Sequence, residues 1–455
     1  MKVHFIAIGG SVMHHLAIAL KNKGYEVTGS DDEIFEPSYS KLLADNLLPE
    51  EFGWNPDKIY EGLDAVIVGM HARNNNPELI RARELGLKIY NFPEYIYEIS
   101  KNKQRIVVAG SHGKTTVTSM IIHVLNYWRK NIDFLVGASS DNRSETVKLT
   151  EASHGILLEG DEYPSSPLDP RPKFLLYHHH IGVITGIAWD HVNAYPVYAD
   201  YVNQFKLFVE ASSKAGTLIY CKEDKELEKL VKASNIPEDV MVVAYGMHKH
   251  KIKNGITYLI DHDKNEVPIK FFGDHNLLNV SAALEVCLKQ GVNRAEFYEA
   301  IGSFSGASKR LELIRENSIT KMYRDFAHAP SKLDATIKAA KKQFAKMHLV
   351  ACMELHTFSS LNPEFIAQYK NTMNAADEAF IYINPETVAR KGFDPITVEA
   401  LRAAFNRKDL ILFNDEKALF EKLSELNWQN KVLLMMSSGN FHNMDMEALA
   451  DHIIL

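Results

Sequence analysis

The chain has 455 residues, 46% of them hydrophobic and 24% charged, with a formal net charge of −7 at pH 7. That length suits two to four domains, and mixed, mildly acidic charge argues against nucleic acid or an anionic membrane as the main partner. The three cysteines, Cys221, Cys287 and Cys352, are far apart with no C-x-x-C spacing. Neither a disulfide framework nor a structural zinc site is therefore expected, and the reading is a reducing, cytoplasmic compartment. The N-terminal MKVHFIAIGG reads as a strand rather than a cleavable leader, and no apolar run approaches the roughly 18 residues a membrane helix needs. The run 178-HHH-180 invites a metal, but adjacent histidines rarely point the same way.

Short apolar runs alternate with helical stretches along nearly the whole chain, the pattern of α/β layers around parallel sheets. Strands are predicted at 3–8, 26–30, 65–69 and 88–92, with a helix at 13–24 that ends on a glycine. The polar segment 101-KNKQR-105 breaks the pattern, and a domain boundary is placed near residue 100. A second block has strands at 105–110, 155–162, 181–191, 216–221 and 240–246, a small β-rich insert at 252–272 and a helix at 277–291. After a second break at 302-GSFSGASKR-310 come strands at 319–326, 348–354, 378–383 and 431–437. The expected organisation is α/β with three domains, 1–100, 101–305 and 306–455.

The segment 106-IVVAGSHGKTTVTSM-120 carries the first recognisable chemistry. Strand, glycine loop and helix follow one another, so that backbone amides and a helix N-terminus face an anion. The usual G-x-x-x-x-G-K-[ST] spacing would need glycine at position 108, which is Val108. The loop here is shorter: Gly110, Ser111, His112, Gly113, Lys114, Thr115 and Thr116. Lys114 can reach β- and γ-phosphates and Thr115 can offer its hydroxyl to Mg²⁺. Downstream, 157-LLEGDEY-163 puts acids at a strand end, suited to a divalent cation. The pair 190-DH-191 offers an imidazole for the same purpose, and clusters at successive strand ends read as one site. In 273-GDHNLLNVSAAL-284, Asn276 and Asn279 share a helix face, where they can read a base edge or simply cap the helix.

Taken together, G-S-H-G-K-T-T (110–116), E-G-D-E-Y (159–163), D-H (190–191), G-D-H-N-L-L-N (273–279), K-R-L-E (309–312) and D-F-A-H-A-P (325–330) resemble the Mur ligases over the whole chain. These are ATP-dependent, amide-bond-forming enzymes of peptidoglycan assembly. The shorter loop is that family's own form. The resemblance implies a Rossmann-like N-terminal domain for a UDP-sugar, a P-loop ATPase-like central domain and a Rossmann-like C-terminal domain for the amino acid or peptide. It also implies phosphorylation of a substrate carboxylate by ATP and attack of an amine on the acyl phosphate, with the protein positioning groups and neutralising charge. Carried over by motif, the loop residues 110–116 hold ATP, and Thr115, Glu159 and His191 hold Mg²⁺. His275, Asn276 and Asn279 lie at the nucleotide, Arg310 at its γ-phosphate, and Asp325 and His328 come from the third domain as it closes.

Position 205, fifteen residues past Asp190, is Phe205 rather than the lysine that later ligases of the family carbamylate. The chain therefore resembles the branch acting on UDP-N-acetylmuramate, with either L-alanine or the tripeptide L-Ala-γ-D-Glu-meso-diaminopimelate as acceptor. Gly9, Gly10, Ser30 and Asp31 resemble its UDP-sugar site, and His71, Arg73 and His356 are further substrate candidates. The segments 36-EPSYSKLL-43, 72-ARNNNPE-78 and 168-LDPRPKFLLYHHH-180 resemble the tripeptide (recycling) enzymes, which is the acceptor expected here. A monomer or weak homodimer is expected. Gly186, Ala188, Arg324, Ala329 and Pro164 depart from the branch's pattern.

Overall fold

A computed structural model describes residues 1–70, 72–137, 145–166, 169–189, 194–306 and 310–454. His71, Asp190, His191 and Lys309 lie outside the described residues.

The first hundred residues form a four-stranded parallel sheet of β1 (Lys2–Ile6), β2 (Glu26–Ser30), β3 (Ala65–Val68) and β4 (Ile89–Asn91), in the order β2-β1-β3-β4. Val3, Phe5, Ile6, Val66 and Ile67 are fully buried, as a sheet covered on both faces requires. The helix Met13–Asn22 links β1 to β2, and Phe92–Ile99 follows β4 under a capping box of Asn91 and Glu94.

The next sheet has seven strands: β5 (Gln104–Ala109), β6 (Asp133–Leu135), β7 (Val147–Lys148), β8 (Gly155–Glu159), and, beyond a separate antiparallel ribbon of β9 (Pro164–Ser166) and β10 (Asp169–Pro172), β11 (Ile181–Ile184), β12 (Thr217–Cys221) and β13 (Met241–Tyr245). Their order is β13-β12-β11-β5-β8-β6-β7, parallel except for β6 with β7. The chain leaves β5 toward β6 and β8 and later returns to its other side as β11. The carboxyl end of β5 is thus a switch point, where open α/β sheets bind ligands. The ribbon meets the first domain: Asn91 donates to Ser165 at 3.3 Å and Asp169 at 3.2 Å, and Arg171 to Glu94 at 3.1 Å.

The predicted β-rich insert is an antiparallel sheet of β14 (His250–Lys253), β15 (Ile256–Ile260) and β16 (Glu266–Ile269). The helix Asp274–Lys289 follows. The last sheet, β17 (Glu312–Glu316), β18 (Thr320–Asp325), β19 (His348–Glu354), β20 (Glu378–Tyr382), β21 (Ile411–Phe413) and β22 (Lys431–Met436), has the order β17-β18-β22-β19-β20-β21 and only the β17–β18 pair antiparallel. β19 shows why it is central. Leu349, Ala351 and Met353 enter the core on one face, and Val350 and Cys352 the core on the other, the period-2 alternation of a strand. By compactness the chain divides into two units, residues 1–246 with 282–292, and residues 247–281 with 293–455.

The structure differs from the expected elements chiefly at edges. The strand predicted over 181–191 stops at Ile184, because Gly186 turns the backbone with φ +155°. The short strands β6, β7, β9, β10, β17 and β21 were not expected, since two to five residues carry too little alternation to stand out.

Candidate active site

The loop after β5 is held by the neighbouring strand. Ser111 N–H donates to the Gly186 carbonyl at 2.9 Å and Thr185 N–H to the Ala109 carbonyl at 3.0 Å, while the Thr185 hydroxyl donates to the His112 carbonyl. A Cβ at Gly110 would lie 2.2 Å from Thr185 Oγ1 and one at Gly113 would meet a backbone φ of +83°, so both glycines are demanded by geometry. The helix Lys114–Tyr127 starts directly behind, and no side chain caps its N-terminus. Its first amides are thus presented to the loop, where an anion is the natural partner.

Lys114 Nζ donates to the Gly110 carbonyl and to Glu162 Oε2, each at 2.6 Å. An ammonium has three N–H groups, so one is left for a phosphate oxygen. Burial works against the Lys114 charge, but Glu162, then Asp161 and Glu159, outweigh it and raise the amine above its ordinary range. Glu162 is wholly buried. Its Oε1 accepts from Tyr201 at 3.3 Å, its carbonyl from Tyr195 at 2.6 Å, and Tyr201 OH lies 2.9 Å from Ser111 Oγ. Thr115 donates its hydroxyl to Glu159 Oε1 at 2.7 Å, and Gly137 N–H donates to Glu159 Oε2 at 2.8 Å. A hydroxyl and a carboxylate side by side at a strand end are the hard oxygen donors a magnesium ion takes. The expected sets around Lys114 and around Thr115 with Glu159 are therefore brought together in one place. Thr116 is buried in the first turn of the helix.

Glu162, Gly137, Tyr201, Thr185 and Asp224 were not singled out from sequence. Asp224 accepts from Ile187 N–H at 2.7 Å and caps the helix Lys225–Ala233 through its other oxygen. Only the E-G-D-E-Y run signalled Glu162, and nothing local marks the others. Phe205 is fully buried against Phe174 and Tyr201 at centroid distances of 5.5 and 5.2 Å. The three adjacent histidines diverge: His178 packs on Tyr97 at 4.5 Å, His180 Nδ1 accepts from Arg105 N–H at 3.0 Å, and His179 stacks on Phe208 at 4.1 Å. Burial, then the neighbouring His180, pushes His179 down to about 3. They are structural.

In the first domain Asp31 faces inward. Its Oδ2 accepts from Gly9 N–H at 2.7 Å, and a Cβ at Gly9 would come within 2.9 Å of that oxygen. The aspartate thus holds the glycine turn itself. The Ser30 hydroxyl accepts from Lys58 at 3.1 Å, the Gly10 carbonyl faces His14 Nδ1 at 2.9 Å, and Arg73 is exposed.

Within the second unit, Asn276 Nδ2 donates to the Phe272 carbonyl at 2.8 Å and Asn279 Nδ2 to Asn276 Oδ1 at 3.3 Å. They share a face as expected, tied to each other. Burial depresses His275 below the usual histidine range, against the pull of Asp325 and Asp274. Asp325 accepts from Leu311 N–H at 2.6 Å and Ala327 N–H at 2.8 Å, organising the two chain segments around it. Arg310 lies over the Phe326 ring at 4.4 Å, and His328 Nδ1 is 2.8 Å from the Phe326 carbonyl. His356 Nδ1 lies 3.9 Å from Glu354. Arg324, one of the departures, forms a two-pronged pair with Glu312, its opposite residue in the β17–β18 register, at 2.8 and 2.7 Å.

Known proteins resemble the chain over most of its length. Residues 2–104 match the Mur ligase family catalytic domain, and residues 108–287 the Mur ligase middle domain. The UDP-N-acetylmuramate–L-alanine ligase of Caldicellulosiruptor bescii is 30% identical over 394 residues, covering 84% of this chain and 83% of that protein. Among solved structures, the UDP-N-acetylmuramate–alanine ligase of Thermotoga maritima superposes with a TM-score of 0.71 at 21% identity, covering 97% of both chains. The murein peptide ligase of Psychrobacter arcticus superposes with a TM-score of 0.63 at 20% identity, covering 100% of this chain and 98% of that one. The chain belongs to the Mur ligase family and is an ATP-dependent acid–amino-acid ligase of peptidoglycan metabolism.

Proposed function

We propose that the chain joins the carboxylate of UDP-N-acetylmuramate to the amino group of L-alanine. The observation that carries the reaction class is the Lys114–Glu162 and Thr115–Glu159 arrangement at the switch point of the seven-stranded sheet. The acceptor rests on the curated relatives, which are L-alanine ligases over most of their length. That full-length likeness outweighs the three short segments that led to the tripeptide expectation.

ATP, when bound, supplies the phosphoryl group that turns a poor electrophile into an acyl phosphate. The residues of this chain supply the setting. The loop amides from Gly110 to Thr116 and the free N–H of Lys114 hold phosphate oxygens, and the Thr115 hydroxyl and Glu159 carboxylate hold Mg²⁺. We assign His191 to the same ion by its motif. His275, Asn276 and Asn279 are assigned to the nucleotide, and Arg310, Asp325 and His328 to the phosphoryl-transfer and acceptor steps. Gly9, Gly10, Ser30, Asp31, His71 and Arg73 are assigned to the UDP-sugar, with Asp31 shaping the turn, and His356 to the acceptor. Phe205, packed among aromatic rings, leaves no role for a carbamylated lysine at that position.

A second reading, the tripeptide as acceptor, rests on the segments 36–43, 72–78 and 168–180, the last of which includes β10. Phosphate release with ATP, Mg²⁺ and UDP-N-acetylmuramate, given L-alanine or the tripeptide in parallel, separates the two. Turnover with tripeptide alone would replace the first reading by the second, and no sugar-dependent turnover with either would refute both. Lys114→Ala is expected to abolish turnover while UDP-sugar binding stays within a factor of about two. Loss of both would contradict the assignment of Lys114 to the phosphates.

A further inference from the structure

The edge of the seven-stranded sheet opposite the phosphate loop holds a cavity of about 470 Å³. Its floor is the amino ends of β5, β11 and β12, at Gln104, Ile181 and Thr217, and its walls carry four lysines, Lys101, Lys103, Lys214 and Lys289, with no carboxylate among the lining residues. Two of the four are answered from outside: Lys101 by Glu98 at 2.6 Å and Lys103 by the buried Asp133. Among the described residues Lys289 meets the sulfur of Met241 alone, at 2.8 Å, a weak acceptor. Lys214 has neither a hydrogen bond nor an ion pair among the described residues. His180, also in the lining, is held below its usual range by burial and then by Arg105, and so adds an uncharged polar wall.

Scattered surface lysines are ordinarily solvated and mean little. Here they converge on a concavity of the size that small-molecule ligands fill, with Asp239, which accepts from the lining Ala215 N–H at 2.9 Å, as the carboxylate beside it. Lys214 and Lys289, which have no carboxylate partner among the described residues, are exposed and offer two positive charges that two negative charges on an occupant would match, and ammonium groups act toward phosphate as point charges without demanding bidentate geometry.

We propose that this cavity is a binding site for a small molecule bearing a di- or polyphosphate group, separate from the phosphate loop. Gln104 begins β5 and Ala109 ends it, five steps of about 3.3 Å, so the loop lies roughly 17 Å away and one phosphate group cannot touch both. β5 and β11 each run from the cavity floor to the loop, Gln104 to Ala109 and Ile181 to Ile184, so the same two strands carry both sites.

The test is calorimetric titration of inorganic pyrophosphate into the full chain saturated with a non-hydrolysable ATP analogue, Mg²⁺ and UDP-N-acetylmuramate, so that the loop and the UDP-sugar site are already filled. One binding event is expected. The double variant Lys214→Glu/Lys289→Glu, changed at two exposed positions, is expected to weaken it at least tenfold while affinity for the ATP analogue stays unchanged. Absence of binding to the nucleotide-loaded protein would overturn the proposal, as would unaltered affinity in the double variant. Pyrophosphate binding seen only without nucleotide, and lost in Lys114→Ala, would mean that the anion occupies the loop alone.

Discussion

Replacing Glu162 with Gln removes one charge and keeps the side chain's volume and one of its two acceptor oxygens. Glu162 is fully buried and the Lys114 side chain is 13% exposed, at a separation of 2.6 Å. Breaking a fully buried pair costs about 3–5 kcal/mol. Partial exposure of Lys114 and the hydrogen bond that Gln retains reduce this to about 2 kcal/mol. For a body of some 200 residues that is a fall of about 4–8 °C in Tm. A bound phosphate supplies the missing negative charge, so with nucleotide the cost is expected to drop below about 1 kcal/mol. By linkage, Glu162→Gln binds the ATP analogue roughly tenfold more tightly than the parent. Denaturant unfolding with and without nucleotide, repeated in a Lys114→Met background, measures each term. Equal losses with and without nucleotide, or an undiminished loss when Lys114 is already gone, would refute the reasoning. The sign with pH is also set. Because the Lys114 amine is raised in the folded chain, the stability it contributes is complete at neutral pH and disappears only as pH rises through that raised value.

Three further outcomes are expected. Gly137→Ala would bring a Cβ within 2.9 Å of Glu159 Oε1, displacing the carboxylate from Thr115; the Mg²⁺ concentration for half-maximal turnover is expected to rise about tenfold, roughly 1.4 kcal/mol, with little change in Tm, and an unchanged Mg²⁺ requirement would contradict the assignment of Glu159. His179 is held neutral, pushed down to about 3, so between there and the ordinary histidine range the unfolded chain takes up the extra proton and acid favours unfolding. His179→Gln is therefore expected to flatten the loss of stability between pH 6 and pH 4 by up to about 1.4 kcal/mol per pH unit, as read from urea midpoints; an identical slope would show that the ring is not a buried neutral base. Arg324→Asp faces Glu312 with a like charge and is expected to cost about 0.5–1 kcal/mol, recovered on adding Glu312→Lys; no recovery would mean that the pair contributes nothing.

Legibility from sequence follows how local the cause is. The loop 110–116 could be read because strand, glycines and helix are contiguous, and β19 because its seven residues alternate between two buried faces. The inward turn of Asp31 was not legible, since a strand-end aspartate looks the same whether it faces a ribose or the Gly9 amide 22 residues away. Asn276 and Asn279 could be placed on one helix face, but not their bonds to Phe272 and to each other, which depend on the turn before the helix. Thr185 and Tyr201 reach the loop only through the pairing of β11 with β5 and the helix beyond it, over separations of 73 residues between Thr185 and His112 and 90 between Ser111 and Tyr201. No window of sequence contains such contacts.

The departures from the branch's pattern at Gly186 and Arg324 acquire causes once their partners are seen. Gly186 lacks the side chain the branch carries there, and a Cβ at that position would lie 3.2 Å from Asp224 Oδ2, the oxygen that accepts from Ile187 N–H. With φ at +155° and its carbonyl accepting from Ser111, residue 186 supports the phosphate loop through its backbone. A side chain at 186 would have to find room beside Asp224. Pro164 opens β9, and Ala329 precedes Pro330 at the first position of the helix Pro330–Gln343, where proline's missing N–H costs nothing. Arg324 is answered by Glu312 across the strand. Arg324 is thus answered from the neighbouring strand and Gly186 from the loop after β12, while nothing in the structure explains Ala188. Lys114 with Glu162 and Thr115 with Glu159 keep bonds that involve none of these positions.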